Sequence, residues 1–160
     1  MELPNSTVQN VTDTQSNVLK PKMLTEDIES MLNDRLADEY TAHYFYRNAA
    51  NWCEGVNYKK AAAFFTAEAA SELEHAEKIQ NYLVGWNNKP IIPQVKFTGD
   101  FDSLIDIVNK AYAIEYKLGE EYMKNSADVF SKHLMTFDFL KKFRTIQRKA
   151  IAEYSDLLNA

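Results

Sequence analysis

The scarcity of helix breakers constrains the fold of this chain more than any other feature of its sequence. Its 160 residues include only 4 glycines and 4 prolines, so little interrupts regular structure over long distances. In four segments the apolar residues recur at the spacing of an α-helix with one buried face. An all-α fold is therefore predicted, with Thr25 as the cap of the first helix and Gly55 and Gly85 ending the first and second. The expected helices lie at about residues 25–53, 58–85, 101–128 and 136–158.

The connections between these helices predict how they pack. The first and second helices, and the third and fourth, are joined by only a few residues, which makes each pair an antiparallel hairpin. Residues 86–100 include Pro90, Pro93 and Gly99 and are expected to be extended rather than helical. A connection of about 15 residues can run the length of a bundle, so the second and third helices would lie parallel. We therefore predict a four-helix bundle with one long crossover between its second and third helices.

Composition limits the remaining possibilities. Residues 1–22 lack apolar periodicity and are expected to form a flexible tail, which leaves residues 23–160 as one folded domain. The formal net charge of -5 makes nucleic acid a poor partner. No apolar run suits a membrane span or a secretory signal. The single cysteine, Cys53, excludes an internal disulfide and fits a reducing compartment, so we expect a cytoplasmic protein.

The sharpest chemical signal is Glu72 followed three residues later by His75. On a helix both side chains point to the same side, where a carboxylate and an imidazole can bind one divalent metal ion. Alone the pair is a weak signal, because helices rich in glutamate often carry it on an exposed face. Glu39 and Glu115, however, lie in apolar parts of the first and third helices, where an unpartnered carboxylate would be costly. Three mid-helix carboxylates and one histidine match the di-iron arrangement found in helical bundles.

Longer runs of sequence around these residues resemble the helices of non-haem ferritins. The matching runs are Glu39-Tyr40-Thr41-Ala42-His43-Tyr44-Phe45-Tyr46 with Trp52-Cys53, Ala61-Ala62-Ala63-Phe64-Phe65, Glu72-Leu73-Glu74-His75-Ala76-Glu77-Lys78, Ile114-Glu115, and Thr136-Phe137-Asp138-Phe139-Leu140 with Gln147. The resemblance covers about residues 22–158 and implies a ferritin-like four-helix bundle.

The resemblance also implies an activity and the residues that carry it. Glu39, Glu72 and His75 would bind a first iron ion, and Glu72 would bridge to a second iron held with Glu115. A pair of iron ions in each subunit would make the protein a ferroxidase that oxidises Fe(II) with dioxygen or peroxide. The function implied is iron storage and detoxification, with ferric mineral kept in a self-associated cage of twenty-four subunits.

Gln147 and Tyr46 also match the family pattern, and each has a simpler structural interpretation as an alternative. Gln147 would be an outer ligand of the iron pair or would position a water molecule. Tyr46 would form a hydrogen bond near the centre and could donate an electron. The alternatives are that Tyr46 only packs in the core and that Gln147 is a solvent-facing amide.

Departures from the family pattern make a third iron site and a haem group unexpected in this chain. Ser71, Ile146, Lys149 and Ala150 stand where many bacterial ferritins carry extra glutamates for a third iron, so no third site is expected. Leu73 follows the bridging glutamate where haem-binding bacterioferritins have methionine, and the fourth helix has no second Glu-x-x-His motif. We therefore expect no haem and a two-iron centre closer to that of animal heavy-chain ferritins.

Cage assembly rests on analogy, because two features of the family are missing. The sequence ends without the short fifth helix that lines a cage channel in many ferritins. Leu140, Lys141 and Lys142 stand where acidic residues often surround the iron entry pores, although Asp128 or Asp138 could substitute.

Two other functions remain open from the sequence. The first is a di-metal oxidase or peroxidase of the same fold that stores no mineral, with iron or manganese in the same ligands. The second is a structural shell subunit without activity, in which Glu72 and His75 are only a surface pair. The second is disfavoured because subunits of that kind usually lose some of the iron ligands.

Overall fold

The computed structural model describes residues 20–160. They contain four long α-helices and no strand: α1 (Glu26–Gly55), α2 (Lys59–Gly85), α3 (Leu104–Val129) and α4 (Leu134–Leu158). The predicted all-α architecture is confirmed. Residues 1–19 of the predicted flexible tail lie outside the described residues, so the division into a tail of residues 1–22 and a domain of residues 23–160 stays a prediction.

The helices form a bundle with the predicted topology. α1 packs along α2, α3 packs along α4, and α1 also contacts α3. Residues 86–103 form the long crossover, and Asn33 on α1 fixes its start. The Asn33 Nδ2 donates to the carbonyl of Lys89 at 3.0 Å, and its Oδ1 accepts from the amide of Ile91 at 2.8 Å. None of the helices in residues 20–160 combines the length and the hydrophobicity of a membrane span.

The first and second helices end at the predicted glycines. Gly55 and Gly85 are each the last residue of their helix, and neither has a positive φ. Asn57 and Asn87, two residues further on, take φ values of 71° and 61°. Asparagine tolerates this left-handed conformation because its short amide can form local hydrogen bonds. The stops at Gly55 and Gly85 are therefore confirmed, and the left-handed residue that follows each stop, an asparagine, was not predicted.

The helix N-termini also correct two details. Thr25 occupies the cap position of α1, but its hydroxyl bonds to the Asp27 carboxylate instead of a backbone amide. The third helix starts at Leu104 rather than near residue 101, because the Oγ of Ser103 accepts a hydrogen bond from the amide of Asp106 at 3.1 Å. Such a bond satisfies one of the free amides at a helix start.

Two apolar layers fill the bundle, one toward each end. One includes Phe45, Phe65 and Ile107, and the other includes Leu36 and Ile79. Burying each large side chain of this kind stabilises the folded chain by about 1.5–3 kcal/mol. Between the two layers every helix contributes buried polar side chains: Glu39 from α1, Glu72 and His75 from α2, Glu115 from α3, and Gln147 from α4. The fold therefore places a polar layer in the middle of the bundle.

Candidate metal centre

Three side chains from α1 and α2 meet in this polar layer. Glu39, Glu72 and His75 each offer one ligand atom, and these atoms lie within 4.8 Å of one another. The His75 Nδ1 is 2.8 Å from Glu72 Oε1 and 3.4 Å from Glu39 Oε1. All three residues are buried. The structure thus brings together the residues predicted for the first iron, and their oxygen and nitrogen atoms suit a first-row divalent metal.

Local sequence explains why the three side chains meet. Glu72 and His75 are one turn apart on α2 and share the face that looks into the bundle. On the same face, one turn to either side of Glu72, Ala69 and Ala76 are small and buried. Their size leaves room for a carboxylate between the helices. The His75 ring lies edge-on to Phe143, with centroids 6.1 Å apart, which helps to fix its orientation.

One carboxylate oxygen of Glu39 is buried without a hydrogen-bond partner, and a bound cation would give it one. The Oε2 accepts a hydrogen bond from the Tyr122 hydroxyl at 2.6 Å. The Oε1 is buried without a hydrogen-bond partner, and it is the only such side-chain atom among the described residues. A buried polar atom of this kind costs free energy unless something binds it. A metal ion beside His75 would supply the missing partner, so the donor set fits a divalent cation.

Glu115 faces this group from α3 and is held on both oxygens. The Tyr46 hydroxyl donates to Glu115 Oε2 at 2.5 Å, and the Gln147 Nε2 donates to Glu115 Oε1 at 2.9 Å. Gln147 is 2% exposed, so the alternative of a solvent-facing amide was wrong. Tyr46 packs in the core and also hydrogen-bonds at the centre. Glu115 and Gln147 lie outside the compact group of three ligands, and their predicted contacts with iron stay a prediction.

The charges of the centre interact strongly because it is buried. Burial raises the pKa of Glu72 well above its usual range, and the carboxylates of Glu115 and Glu39 raise it further. The Glu72 carboxylate therefore interacts electrostatically with both of the other carboxylates. Without a cation, an ionised Glu72 is costly at this position. A pair of divalent ions would remove this repulsion and favour loss of the proton from Glu72.

Tyr122 is a residue of the centre that the sequence interpretation missed. Burial raises the pKa values of Tyr46 and Tyr122 well above their usual range, so both phenols stay protonated and act as donors. The sequence did contain a signal. Tyr122 follows Glu115 by the same seven residues by which Tyr46 follows Glu39, and two helical turns return a residue to the same face.

A pocket of about 400 Å³ connects the centre to the surface between α2 and α4. Its walls include Glu72, His75, Glu115, Glu68 and Glu153. The four residues that replace the extra glutamates of the family, Ser71, Ile146, Lys149 and Ala150, also line it. The pocket thus brings together the positions where a third iron was judged absent, although the absence of a third iron and of haem stays a prediction.

Comparison with known proteins identifies a family. Residues 29–160 match the family model for ferritin, described as a ferritin-like domain. A bacterial non-heme ferritin of Campylobacter jejuni is 27% identical over 126 residues, covering 78% of this chain and 72% of that protein. A bacterial non-heme ferritin of Staphylococcus aureus is 25% identical over 143 residues, covering 86% and 84%.

Solved structures show the same fold. A ferritin of Chlorobium tepidum superposes with a TM-score of 0.82 at 24% sequence identity, covering 86% of this chain and 85% of that chain. A ferritin of Archaeoglobus fulgidus, described as an open pore ferritin, also gives a TM-score of 0.82, at 18% identity and with 87% and 86% covered. These similarities extend over nearly all of the described bundle.

Proposed function

The chain belongs to the ferritin family, and we propose that it oxidises Fe(II) at a di-iron centre inside each subunit and stores the ferric product in a protein cage. Family membership supports iron binding and iron storage in general. The observation that carries the finer proposal is the buried Oε1 of Glu39, which has no hydrogen-bond partner and lies 3.4 Å from His75 Nδ1. An oxygen in that position is poised for a cation.

Iron enters this proposal as the substrate. Glu39, Glu72 and His75 bind the first Fe(II), since their ligand atoms already lie within 4.8 Å of one another. Glu72 bridges to a second Fe(II) shared with Glu115, and its electrostatic coupling to both neighbouring carboxylates supports the bridging position. Binding of the cations displaces the proton that burial favours on Glu72.

The ligand chemistry favours oxidation. Carboxylate oxygens are hard donors and stabilise Fe(III) more than Fe(II), so bound Fe(II) becomes a stronger reductant toward dioxygen or peroxide. Gln147 acts as an outer group that orients Glu115 through its 2.9 Å hydrogen bond. Tyr46 holds the other oxygen of Glu115 and can donate an electron. The product then leaves as hydrated ferric oxide through the pocket between α2 and α4.

Self-association completes the proposal. We propose a homo-oligomeric cage of twenty-four subunits in the cytoplasm, by analogy with ferritins of the same fold. The large apolar side chains exposed on the crossover support association, because exposed apolar surface favours burial against another subunit. They include Ile91, Ile92 and Phe97, which are 59%, 60% and 64% exposed.

Iron loading tests storage and oxidation together. Purified protein is given excess Fe(II) in air, and iron per subunit and particle mass are measured on the same sample. Hundreds of irons on a large hollow particle are expected of a storage ferritin. Saturation at a pair of irons per subunit on a small oligomer would instead support the di-metal oxidase or peroxidase without mineral storage.

A matched pair of variants separates the centre from nonspecific iron binding. Glu39→Gln removes a ligand charge at the unpartnered oxygen, whereas Glu74→Gln removes a charge from the exposed face of α2. The first should lose rapid oxidation and the second should keep it. Equal rates in wild type and Glu39→Gln would contradict the proposed centre.

A further inference from the structure

A second pocket, of about 580 Å³, lies between α3 and α4 and shares no lining residue with the pocket at the metal centre. Tyr116 and Met123 on α3 and Ile151 on α4 give it apolar walls. Gly119, which also lines it, has no side chain to fill the space between the two helices. A pocket of this size with apolar walls can hold a small organic molecule.

Arg144 on α4 lines this pocket with its guanidinium already fixed. Its Nη1 donates to the Ser126 hydroxyl on α3 at 2.6 Å and to the carbonyl of Phe137 at 3.3 Å. The guanidinium also lies over the Phe137 ring, 4.6 Å from its centroid, which makes a cation–π contact. Because these contacts hold one end of the group, a ligand that binds the other end costs less side-chain entropy.

The other edge of the same guanidinium is unused. Its Nε and Nη2 make no hydrogen bond within residues 20–160. These two nitrogens form one side of the planar fork that can bind both oxygens of a carboxylate. Arg148, one turn further along α4, lines the same pocket. Neither arginine forms an ion pair with another described residue.

The charge of the pocket indicates the charge of its ligand. Glu120 is its one acidic lining residue, so two arginines and one glutamate leave a net charge of +1. A monoanion balances that charge, whereas a phosphate ester, with about two negative charges, exceeds it. The apolar walls favour an aromatic or apolar body next to the anionic group.

We propose that the pocket between α3 and α4 binds a small organic monocarboxylate with an aromatic or apolar body. The carboxylate accepts hydrogen bonds from Nε and Nη2 of Arg144, Arg148 adds a second positive charge, and the body packs against the apolar walls. Gln147 also lines the pocket and donates to Glu115, so one side chain separates the ligand from the metal centre. Binding of the carboxylate does not depend on the proposed oxidation of iron, and the two can fail separately.

Isothermal titration calorimetry on the metal-free full chain tests the proposal, with naphthoate as the probe. Naphthalenemethanol is the neutral control, since it has the same ring system and no carboxylate. Arg144→Gln removes the fork. Arg148→Gln changes an exposed residue and covers the case in which the first variant folds poorly. Lys142→Gln is the matched control, because it removes an exposed cation of α4 that does not line the pocket.

Wild type should bind naphthoate at one site per subunit and bind naphthalenemethanol at least about tenfold more weakly. Arg144→Gln should lower the affinity for naphthoate by about tenfold and Arg148→Gln by about threefold, while Lys142→Gln leaves it unchanged. An unchanged affinity in either arginine variant would overturn the proposal, as would equal affinities for the two probes. Absence of naphthoate binding would overturn it too, even if an acidic peptide bound to the same arginines.

Discussion

The Tyr122 hydroxyl on α3 donates to Glu39 Oε2 on α1 at 2.6 Å. In the opposite direction, Tyr46 on α1 donates to Glu115 Oε2 on α3 at 2.5 Å. Each tyrosine lies seven residues after the glutamate of its own helix and holds the glutamate of the other helix. The centre is therefore braced by a reciprocal pair of hydrogen bonds, in which two phenols orient two of the three carboxylates.

Removing the Tyr122 hydroxyl should lower the free energy of unfolding, because the Glu39 carboxylate loses a hydrogen bond. In Tyr122→Phe, the Oε2 of Glu39 loses the hydrogen bond from the phenol, and a buried acceptor left unsatisfied costs about 1–3 kcal/mol. The free energy of unfolding by urea, measured on metal-free protein at fixed concentration, should fall by that amount. Tyr82→Phe, which loses a half-buried 3.0 Å bond to Thr136, should cost less. Equal losses in the two variants would show that Tyr122 does not brace the carboxylate.

The bridging role of Glu72 makes a kinetic prediction. Glu72→Ala removes the carboxylate shared by both proposed iron sites, so rapid Fe(II) oxidation should be abolished. Glu74→Ala changes an exposed residue of the same helix and should leave the rate near that of wild type. Stopped-flow absorbance of the ferric product measures both variants. A near-normal rate in Glu72→Ala would contradict the assignment of this residue as a bridge.

The sequence predicted much of this centre because helical spacing places residues on faces. Helical spacing placed Glu72 and His75 on one side of a helix, and the resemblance to non-haem ferritins assigned them to one site with Glu39. Tyr122 was missed because a tyrosine in an apolar stripe looks the same whether its hydroxyl meets a carboxylate or solvent. Whether the Tyr122 hydroxyl meets a carboxylate depends on the distance between α1 and α3, and the spacing of residues along one helix does not predict that distance.

The left-handed residues that follow the predicted stops at Gly55 and Gly85 were not predicted, because their place depends on how the next segment packs. They are Asn57 and Asn87. The stacking of Tyr154 on Tyr46 was likewise invisible, because the two lie on α4 and α1 and meet only in the folded bundle.

The helix starts give a prediction about local stability. Ser103→Ala removes the hydroxyl that accepts the Asp106 amide at 3.1 Å, and loss of such a cap costs about 1 kcal/mol. Thr25→Ala changes the cap position of α1, where the side chain makes no bond to a backbone amide. Its cost should stay within about 0.5 kcal/mol, as for an ordinary surface change. Thermal unfolding of both variants compares them, and a larger loss in Thr25→Ala would contradict the capping assignment.

The last prediction concerns pH. Burial and the carboxylates of Glu115 and Glu39 raise the pKa of Glu72 well above the value of 4.5 that is usual for glutamate. The folded chain therefore binds this proton more tightly than the unfolded chain does. The resulting stability is fully present below about pH 4.5 and is lost as the pH rises through the raised pKa. Glu72→Gln has no proton to lose at this position. The free energy of unfolding of the metal-free variant should therefore rise relative to that of wild type as the pH increases.

Urea unfolding in the presence of a chelator, at a series of pH values, measures that difference. Glu74→Gln is the control and should follow wild type, because Glu74 is exposed. A difference between Glu72→Gln and wild type that does not change with pH would contradict the buried position of the charge. Redox-inert Zn(II) should reverse the trend in wild type, because it binds the ionised carboxylates of the folded chain and its affinity increases with pH. Glu72→Gln should gain less from Zn(II), since the carboxylate that the cation would neutralise is gone.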